Sequence, residues 1–441
     1  MPLERLQDHA QMSTWTSESP PRHASALRLG YVIGTYPRLT TTFIDREVRA
    51  LQSLNAPPTI ISIRRPGGDL SAEQELLRNA VTYLLPVHAR RFVCAHLRFA
   101  VLRPVLYFGT LLYLLTRHHP DVKSRLRTFL HFLEAVFAAR ILERSRCNHI
   151  HAHFVDRAAT VALVVSRLLK VPYSVTAHAN DIYVKPILLA EKLGRAAFAT
   201  TCTGFNKSYL EQLVGPVMGR RLFCVYHGLE VDRFRPRCDG NRARPLVLAV
   251  GQLKEKKGFV HLLRACRTLR DRGYEFDCHI VGEGPDRNLL ENVLRTLSLQ
   301  ETVTLCGALP QEQVIAKYNQ AAIFVLPCVV GSDGDRDGIP NVILEAMAMQ
   351  LPVVSTRHSG IPEAIQDGVN GLLVSPGDDT ALAAAIGQLL RSPDERERLG
   401  QTARQRVVDR FSLNTNVALL LELFAGRKAI SHEFLGQHLG G

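Results

Sequence analysis

Short runs of apolar residues alternate with longer stretches of helical period along most of the chain. Within these runs, apolar and polar positions show little alternation, which is typical of parallel strands covered on both faces by helices. The pattern therefore predicts an α/β, doubly wound fold. The predicted strands are 27–33, 59–63, 81–85, 149–154, 173–177, 198–202 and 222–225 in the first half, and 246–250, 277–281, 302–306, 322–326, 352–355 and 372–374 in the second.

The chain has 441 residues, enough for two domains of ordinary size. A polar segment from Phe234 to Pro245 holds two prolines and a glycine and precedes a new apolar strand, which indicates a domain boundary. We expect one domain over 27–235 and a second over 243–410. In the final segment, 411–441, we expect a helix that packs back on the first domain, followed by a tail. Residues 1–26 lack a regular pattern and an apolar signal-peptide core, so we interpret them as a disordered leader and do not expect secretion.

The chain is basic, with 54 Lys and Arg against 41 Asp and Glu and a formal charge of +13. An anionic partner is therefore expected, either a phosphorylated substrate or an acidic membrane. Nucleic acid fits poorly, because the basic residues come without interleaved aromatic residues on which bases could stack. The nine cysteines are scattered without a Cys-x-x-Cys pair, which favours reduced thiols in a cytoplasmic protein.

Two loops of the second half carry candidate chemistry for a phosphorylated ligand. After strand 246–250 come Gly251, Gln252 and Lys257, and after strand 277–281 come Gly282 and Gly284. Glycine permits close backbone approach, and lysine supplies charge beside a helix N-terminus. The loop after strand 246–250 is either a diphosphate site or a solvated basic loop. The loop after strand 277–281 either contacts the ligand or is a plain tight turn.

The stretch 334–348 is the most informative. A polar loop containing Asp337 leads into a helix with Pro340 near its first turn, and Glu345 interrupts an otherwise apolar segment of that helix. A buried carboxylate needs a partner. A ribose diol is one such partner, and a structural pair with a nearby arginine is the alternative.

Histidines lie along one predicted strand of the first half and directly after another. His178 follows strand 173–177 with Asp181 three residues later, and it is either a catalytic group or a loop hydrogen-bonder. His149, His151 and His153 alternate along one strand and share one side. No acidic residue at matching spacing accompanies them, so we expect no metal site there.

Taken together, these segments resemble the family 4 retaining glycosyltransferases of the GT-B fold, and within them the colanic-acid and amylovoran type of exopolysaccharide biosynthesis. The resemblance covers nearly everything from Leu27 to Phe424. It rests on Tyr-Pro-Arg-Leu-Thr-Thr-Thr-Phe-Ile (36–44), His-Ala-His-Phe (151–154), Thr-Ala-His-Ala-Asn-Asp-Ile-Tyr (176–183), His-Gly-Leu-Glu-Val-Asp-Arg-Phe (227–234), Lys-Lys-Gly-Phe (256–259), Asp-Gly-Ile-Pro-Asn-Val-Ile-Leu-Glu-Ala-Met-Ala (337–348) and Ser-Gly-Ile-Pro-Glu (359–363).

The resemblance implies two Rossmann-like domains facing across a cleft, a UDP- or GDP-linked sugar as donor, and no metal or other cofactor. It places His178, Asp337 and Lys257 at the reacting centre. The implied donor-binding residues are Gly251, Gln252, Lys257, Gly282, Gly284, Gly338, Ile339, Pro340, Asn341 and Glu345; those on the acceptor side are Pro37, Thr41, Thr42 and Asp181.

Two positions depart from the family pattern. Gln252 stands where the family commonly has an arginine that binds the diphosphate, and Asp337 stands where it usually has a glutamate. A neutral amide makes a weaker hydrogen bond than a charged donor does. A catalytically weak or inactive sugar-nucleotide-binding protein is therefore one alternative, and a sugar-nucleotide epimerase or hydrolase is another. An NAD-dependent dehydrogenase fits less well, because no Gly-x-Gly-x-x-Gly follows the first strand.

Residues 88–146 hold eleven Lys or Arg and three Asp or Glu, a net charge of +8, beside the apolar stretch 105–115. That stretch is shorter than the ~20 residues that span a bilayer. We expect an element that docks at the inner face of the plasma membrane on anionic lipid, near a glycan or lipid-linked acceptor. The alternative is an ordinary core helix with a solvated arginine face.

Overall fold

The computed structural model describes residues 27–38, 41–68, 70–184, 186–236 and 244–426. The expected leader over 1–26, part of the interdomain segment (237–243) and the tail over 427–441 lie outside the described residues. The same holds for residues 39 and 40 in the loop that ends at Thr41 and Thr42.

The first domain is built on seven parallel strands in the order β3-β2-β1-β4-β5-β6-β7. Their apolar side chains point to both faces, and helices cover both faces, so the strands are almost wholly buried. The strands are β1 (Leu29–Thr35), β2 (Thr59–Arg64), β3 (Val81–Tyr83), β4 (His149–His153), β5 (Tyr173–Ala177), β6 (Phe198–Thr201) and β7 (Leu222–Cys224). The helices are α1 (Thr42–Ser53), α2 (Ala72–Arg78), α3 (Ala89–Leu102), α4 (Pro104–Thr116), α5 (Val122–Arg144), α6 (Arg157–Leu169), α7 (Ala179–Tyr183), α8 (Leu189–Arg195), α9 (Gly204–Val214) and α10 (Pro216–Gly219).

The second domain repeats the plan with six parallel strands in the order β10-β9-β8-β11-β12-β13. The strands are β8 (Leu246–Val250), β9 (Asp277–Val281), β10 (Val303–Gly307), β11 (Ile323–Leu326), β12 (Val353–Thr356) and β13 (Leu372–Val374). The helices are α11 (Phe259–Asp271), α12 (Arg287–Thr296), α13 (Gln311–Gln320), α14 (Asn341–Ala348), α15 (Ile361–Ala364), α16 (Asp379–Arg391), α17 (Pro393–Arg410) and α18 (Leu413–Phe424). The predicted α/β, doubly wound fold is confirmed, with strand ends shifted by no more than two residues.

The chain returns to the first domain at its end. Helix α18 packs on α1, and its Val417, Leu420 and Phe424 join Tyr31 and Ile33 of β1 in one buried apolar cluster. The crossing is tight: a Cβ added at Gly228 would lie 2.3 Å from the Cα of Leu413. The two domains are therefore linked by this helix as well as by the segment before β8.

A second contact joins the domains near the cleft. The carboxylate of Glu363, from the start of α15, accepts hydrogen bonds from the backbone N–H groups of Gly204 (2.7 Å) and Phe205 (2.9 Å). Backbone N–H groups in the first turn of a helix have no partner within that helix, and a negative charge is favourable at this end. Glu363 supplies both the partner and the charge for α9. The second domain thus caps a helix of the first.

Candidate active site

The carboxyl ends of both sheets face a cleft of ≈ 760 Å³ between the domains. Thr35 at the end of β1, and His178 and Cys202 directly after β5 and β6, lie on one wall. The loops after β8 and β11 bring Gly251 and Asp337 to the other. Open parallel sheets bind ligands at this edge, because side chains from several loops converge there.

A cluster of lysines and aspartates lies in the second-domain wall. Lys257 Nζ is 2.6 Å from Asp337 Oδ2, and Lys256 Nζ is 3.2 Å from Asp337 Oδ1 and 3.0 Å from Asp335 Oδ2. Burial alone would raise the pKa of Asp337, but the two lysine charges outweigh it and hold that pKa below its ordinary value. A phosphorylated ligand would compete with these carboxylates for the lysines.

Glu345 is 8 % exposed, one turn into α14. Its Oε1 accepts a hydrogen bond from Nη2 of Arg46 at 3.0 Å, and its Oε2 accepts one from the hydroxyl of Tyr318 at 3.2 Å. Arg46 belongs to α1 of the first domain, so this ion pair crosses the cleft. The structural pair with arginine is therefore present. The carboxylate has about four acceptor positions, so two stay free for a ribose diol.

His178 is held by its backbone. Its N–H donates to Asp181 Oδ1 at 2.7 Å, and Asp181 also accepts from the backbone N–H of Val155. Burial, and then the neighbouring His227 and His153, lower the pKa of His178 well below its ordinary value, so the ring is neutral near pH 7. Its Nε2 is buried and has no hydrogen-bond partner among the described residues. The ring therefore presents a polar atom that a ligand hydroxyl can satisfy.

Two aromatic rings complete this part of the wall. The ring of His227 stacks on Phe43, with centroids 4.2 Å apart and planes at 11°, and lies 5.2 Å from the ring of His178. Burial lowers the pKa of His227 to about 4. Its Nε2 is likewise unpartnered among the described residues.

Most of the predicted site residues line the cleft: His178, Gly251, Gln252, Lys257, Asp337, Gly338, Ile339, Pro340, Asn341, Glu345, Thr41 and Thr42. Four lie elsewhere. Gly282 and Gly284 pack under the first loop, where an added Cβ would approach the carbonyl oxygens of Gly251 (1.9 Å) and Leu253 (2.3 Å). These two glycines support the loop and do not face the cleft. Pro37 is buried outside the lining, and Asp181 lines an adjoining cavity.

Several residues of the site were not predicted. Nothing in the pattern of α1 links Arg46 to Glu345, 299 residues away in the chain. Tyr318 lies on an ordinary amphipathic helix, and Asp335 lies in the stretch 334–348 without a role that its position indicates. Lys256 belongs to the predicted diphosphate loop, where its charge can compensate for Gln252, but its pairing with two aspartates has no sequence signal. His227 opens one of the segments that carry the family resemblance, and this was the available signal.

Two groups of side chains bring potential metal ligands within 4.8 Å of one another. In the first, Glu47, His151 and His153, both ring nitrogens of His151 bond Ser174 and Thr176, and His153 Nε2 bonds Glu47. His153 Nδ1 is buried without a hydrogen-bond partner among the described residues. The second consists of His178, Cys202 and His227, at the cleft. Burial raises the pKa of the Cys202 thiol to about 12, so that sulfur is a weak ligand until a metal displaces its proton.

The second half of the chain is similar in sequence to glycosyltransferases. Residues 232–406 match the family model described as "Glycosyl transferases group 1". The putative colanic acid biosynthesis glycosyltransferase WcaL of Escherichia coli is 39% identical over 202 residues, 44% of this chain and 49% of that protein. The GDP-mannose-dependent alpha-(1-6)-phosphatidylinositol monomannoside mannosyltransferase of Mycolicibacterium smegmatis is 34% identical over 211 residues, 46% of this chain and 55% of that protein. The chain spans about half the length of these curated relatives.

Among solved structures, Anabaena HepE in complex with UDP-glucose superposes with a TM-score of 0.66 at 14% sequence identity. The match covers 91% of this chain and 100% of that one. It extends over both domains and the cleft, and the fold is the GT-B fold of two Rossmann-like domains.

Proposed function

We propose that this protein is a retaining hexosyltransferase that moves a sugar from a UDP- or GDP-linked donor to a glycan or lipid-linked acceptor in exopolysaccharide or cell-surface polysaccharide biosynthesis. The observation that carries the proposal is the convergence of Lys256, Lys257, Asp337 and Glu345 on one wall of the cleft. All four lie in the half of the chain that matches group 1 glycosyl transferases. The UDP-glucose bound by HepE and the GDP-mannose named for the mycobacterial relative support a nucleotide-sugar donor.

The donor diphosphate would lie against the loop after β8. Gly251 allows close backbone approach, Gln252 offers a neutral hydrogen bond, and Lys257 and Lys256 supply charge. The diphosphate would draw the lysines away from Asp337, which then faces the sugar hydroxyls. Glu345 would bind the ribose with the two acceptor positions that Arg46 and Tyr318 leave free.

The reaction breaks the bond between the anomeric carbon and the phosphate oxygen. Negative charge then grows on the departing diphosphate, where Lys256 and Lys257 stabilise it as preorganised charges. The backbone N–H groups at the start of α14 add a further favourable field. His178, at the position beside the anomeric carbon, orients the sugar through its free Nε2. The acceptor hydroxyl attacks the face that the phosphate leaves and gives its proton to the departing phosphate oxygen, which retains the configuration. We propose that no metal takes part, because the lysines supply the positive charge.

The first domain also carries features of a membrane-docking surface. Helices α3 and α4 expose seven apolar side chains, called here the α3–α4 ridge: Val93, Leu97, Val101, Leu102, Val105, Phe108 and Leu112. On α4, Val105 is 83% exposed and Leu112 65%, so α4 is not an ordinary core helix. The segment 88–146 that holds the ridge carries a net charge of +8. Exposed apolar patches beside basic residues mark interfacial elements, and we propose that the ridge docks on anionic lipid at the cytoplasmic face of the plasma membrane.

Among the described residues, no single helix is long and apolar enough to cross a bilayer. Helices α3 and α4 together reach that length and composition, but they are bent by 106°.

A panel of nucleotide sugars tests the donor site. A ligand at 100 times its dissociation constant stabilises the folded state by about 2.7 kcal/mol, so thermal shift identifies the donor. Lys257→Gln should abolish most of that shift. Lys207→Gln, which alters a half-buried lysine of α9 whose one ion pair within the described ranges is with Glu211, should leave it intact.

The selected donor is then incubated with lipid or glycan acceptors, and the linkage formed is read by NMR. Product of inverted configuration would contradict retention. Binding without turnover would indicate an inactive sugar-nucleotide-binding protein, and release of free sugar without acceptor would indicate a hydrolase.

A further inference from the structure

A second cavity, of ≈ 450 Å³, lies in the first domain beside the cleft. It lies between α5 and the carboxyl ends of β2, β4 and β5 and is partly open to solvent. It shares Phe154, Asp156, Arg157 and Asn180 with the lining of the cleft. A molecule held in this cavity would therefore extend into the cleft next to His178, where the proposed transfer takes place.

Three arginines line this cavity: Arg64 at the end of β2, Arg127 on α5 and Arg157 at the start of α6, which also lines the cleft. The side chains of Arg64 and Arg127 form no hydrogen bond or ion pair with any residue in the described ranges. Arg157 has one carboxylate nearby, Asp156, at 3.9 Å between Nε and Oδ2. The N-terminus of α6, which adds a partial positive charge, also opens here.

The other charged groups of the lining are satisfied locally. Lys192 Nζ donates to the backbone carbonyls of Val155 (2.9 Å) and Asp156 (2.7 Å). Asp181 accepts two backbone N–H groups, and His131 bonds Glu134 at 2.8 Å. Over the whole lining, four cations (Arg64, Arg127, Arg157 and Lys192) face three carboxylates (Glu134, Asp156 and Asp181). The positive charge without a local partner lies on Arg64 and Arg127, whose guanidinium groups form bidentate bonds to phosphate. A carboxylate carries only one compensating charge, whereas a phosphate or diphosphate carries two or more.

We propose that this cavity binds a phosphoryl group carried by the acceptor, held by Arg64, Arg127 and Arg157. The inference rests on the proposed function, since it assigns the acceptor side of the same site. A hydrocarbon chain attached to that phosphoryl group could pack on an exposed apolar stripe of α5. Leu130 lines the cavity, and Val122, Leu126 and Leu130 recur every four residues along α5 with exposures of 83%, 57% and 48%. This stripe favours a lipid phosphate over a water-soluble sugar phosphate as the source of the group.

Calorimetric titration with inorganic pyrophosphate tests the site without requiring transfer. The wild-type protein should bind at two sites, one in the cleft and one in the cavity. Arg64→Gln/Arg127→Gln should weaken one site at least tenfold, while Lys256→Gln/Lys257→Gln should remove the other. Arg125→Gln is the matched control, because it alters an exposed arginine of α5 that does not line the cavity.

Retention of both sites in the arginine variant, or loss of all binding in the lysine variant, would overturn the proposal. Because Arg64, Arg127 and Arg125 are exposed, the arginine variant and its control should unfold at the wild-type temperature. The lysine variant removes the partners of Asp335 and Asp337, so circular dichroism must show that it is folded before its binding is compared. A protein that binds pyrophosphate in the cavity but transfers no sugar would contradict the proposed function and leave this site standing.

Farnesyl diphosphate then distinguishes the two sources of the phosphoryl group. If the source is a lipid, it should bind the cavity at least tenfold more tightly than pyrophosphate, and Leu126→Ser/Leu130→Ser should remove that gain. Equal affinities would keep the phosphoryl site and assign it to a water-soluble phosphorylated acceptor.

Discussion

Replacing Arg46 and Glu345 separates the two roles that the Glu345 carboxylate can have. The side chains of this pair are 6% and 11% exposed, with 3.0 Å between nitrogen and oxygen. Removing one member of such a pair leaves a buried charge uncompensated and costs about 3–5 kcal/mol. Glu345→Gln alone would therefore weaken the domain contact whether or not the residue binds nucleotide. The double variant Arg46→Met/Glu345→Gln leaves no lone charge and should recover most of that cost.

The double variant then reports on the ribose. A hydrogen bond to a charged group contributes about 1.5–3 kcal/mol. The wild-type protein should therefore bind UDP or GDP, whichever the panel selects, at least about tenfold more tightly than the 2′,3′-dideoxy form. In the double variant this preference should fall to a few-fold. Titration calorimetry measures both affinities, and circular dichroism checks that the variant is folded.

A matched control lies one turn along the same helix. Arg49→Met removes an arginine that pairs with the half-exposed Glu73 at 3.1 Å, and it should change neither affinity. If the double variant is folded and still prefers the ribose form as strongly as wild type, then Glu345 is only half of a structural ion pair. The ribose assignment would then be wrong.

Four further outcomes are expected. Gln252→Arg should keep or raise the transfer rate, because Gln252 is exposed at the cleft and arginine adds a charged donor; a folded variant with much slower transfer would show a site rebuilt around glutamine. Asp337→Asn should bind the nucleotide diphosphate more tightly but transfer sugar more slowly, since it frees Lys257 and leaves Lys256 paired with Asp335 alone. Because those lysines lower the pKa of Asp337, the stability that this carboxylate contributes is present above about pH 4 and is lost as the pH falls through the lowered pKa. The free energies of unfolding of the wild type and of Asp337→Asn should therefore become equal in acid and differ above about pH 4. EDTA should leave the transfer rate unchanged. Loss of transfer in EDTA would contradict the metal-free mechanism. Serine at Val101, Val105, Phe108 and Leu112 should abolish flotation with anionic liposomes at low salt, whereas wild-type protein that ignores such vesicles would refute docking.

The sequence determined the order of elements and the edge at which the site lies. Buried parallel strands require continuous apolar runs, so β8 and β11 could be recognised from composition alone. The loops after such strands meet at one edge. For this reason Gly251 and Asp337 could be expected at a common cleft although 86 residues separate them.

The tertiary structure decided which side chains meet and which faces stay uncovered. The partner of Glu345 is Arg46, from the other domain, and no local pattern encodes a contact made only when two sheets face each other. Gly282 and Gly284 support a loop, because the carbonyl oxygens of Gly251 and Leu253 lie where a side chain at these positions would be. Only the packed structure shows that contact. Helix α4 is apolar on all sides, so its periodicity could not show which face is covered; only the packing of α3 and α5 leaves Val105 and Phe108 exposed. Local sequence sets the conformation of a segment, whereas burial and charge pairing depend on what other segments bring to it.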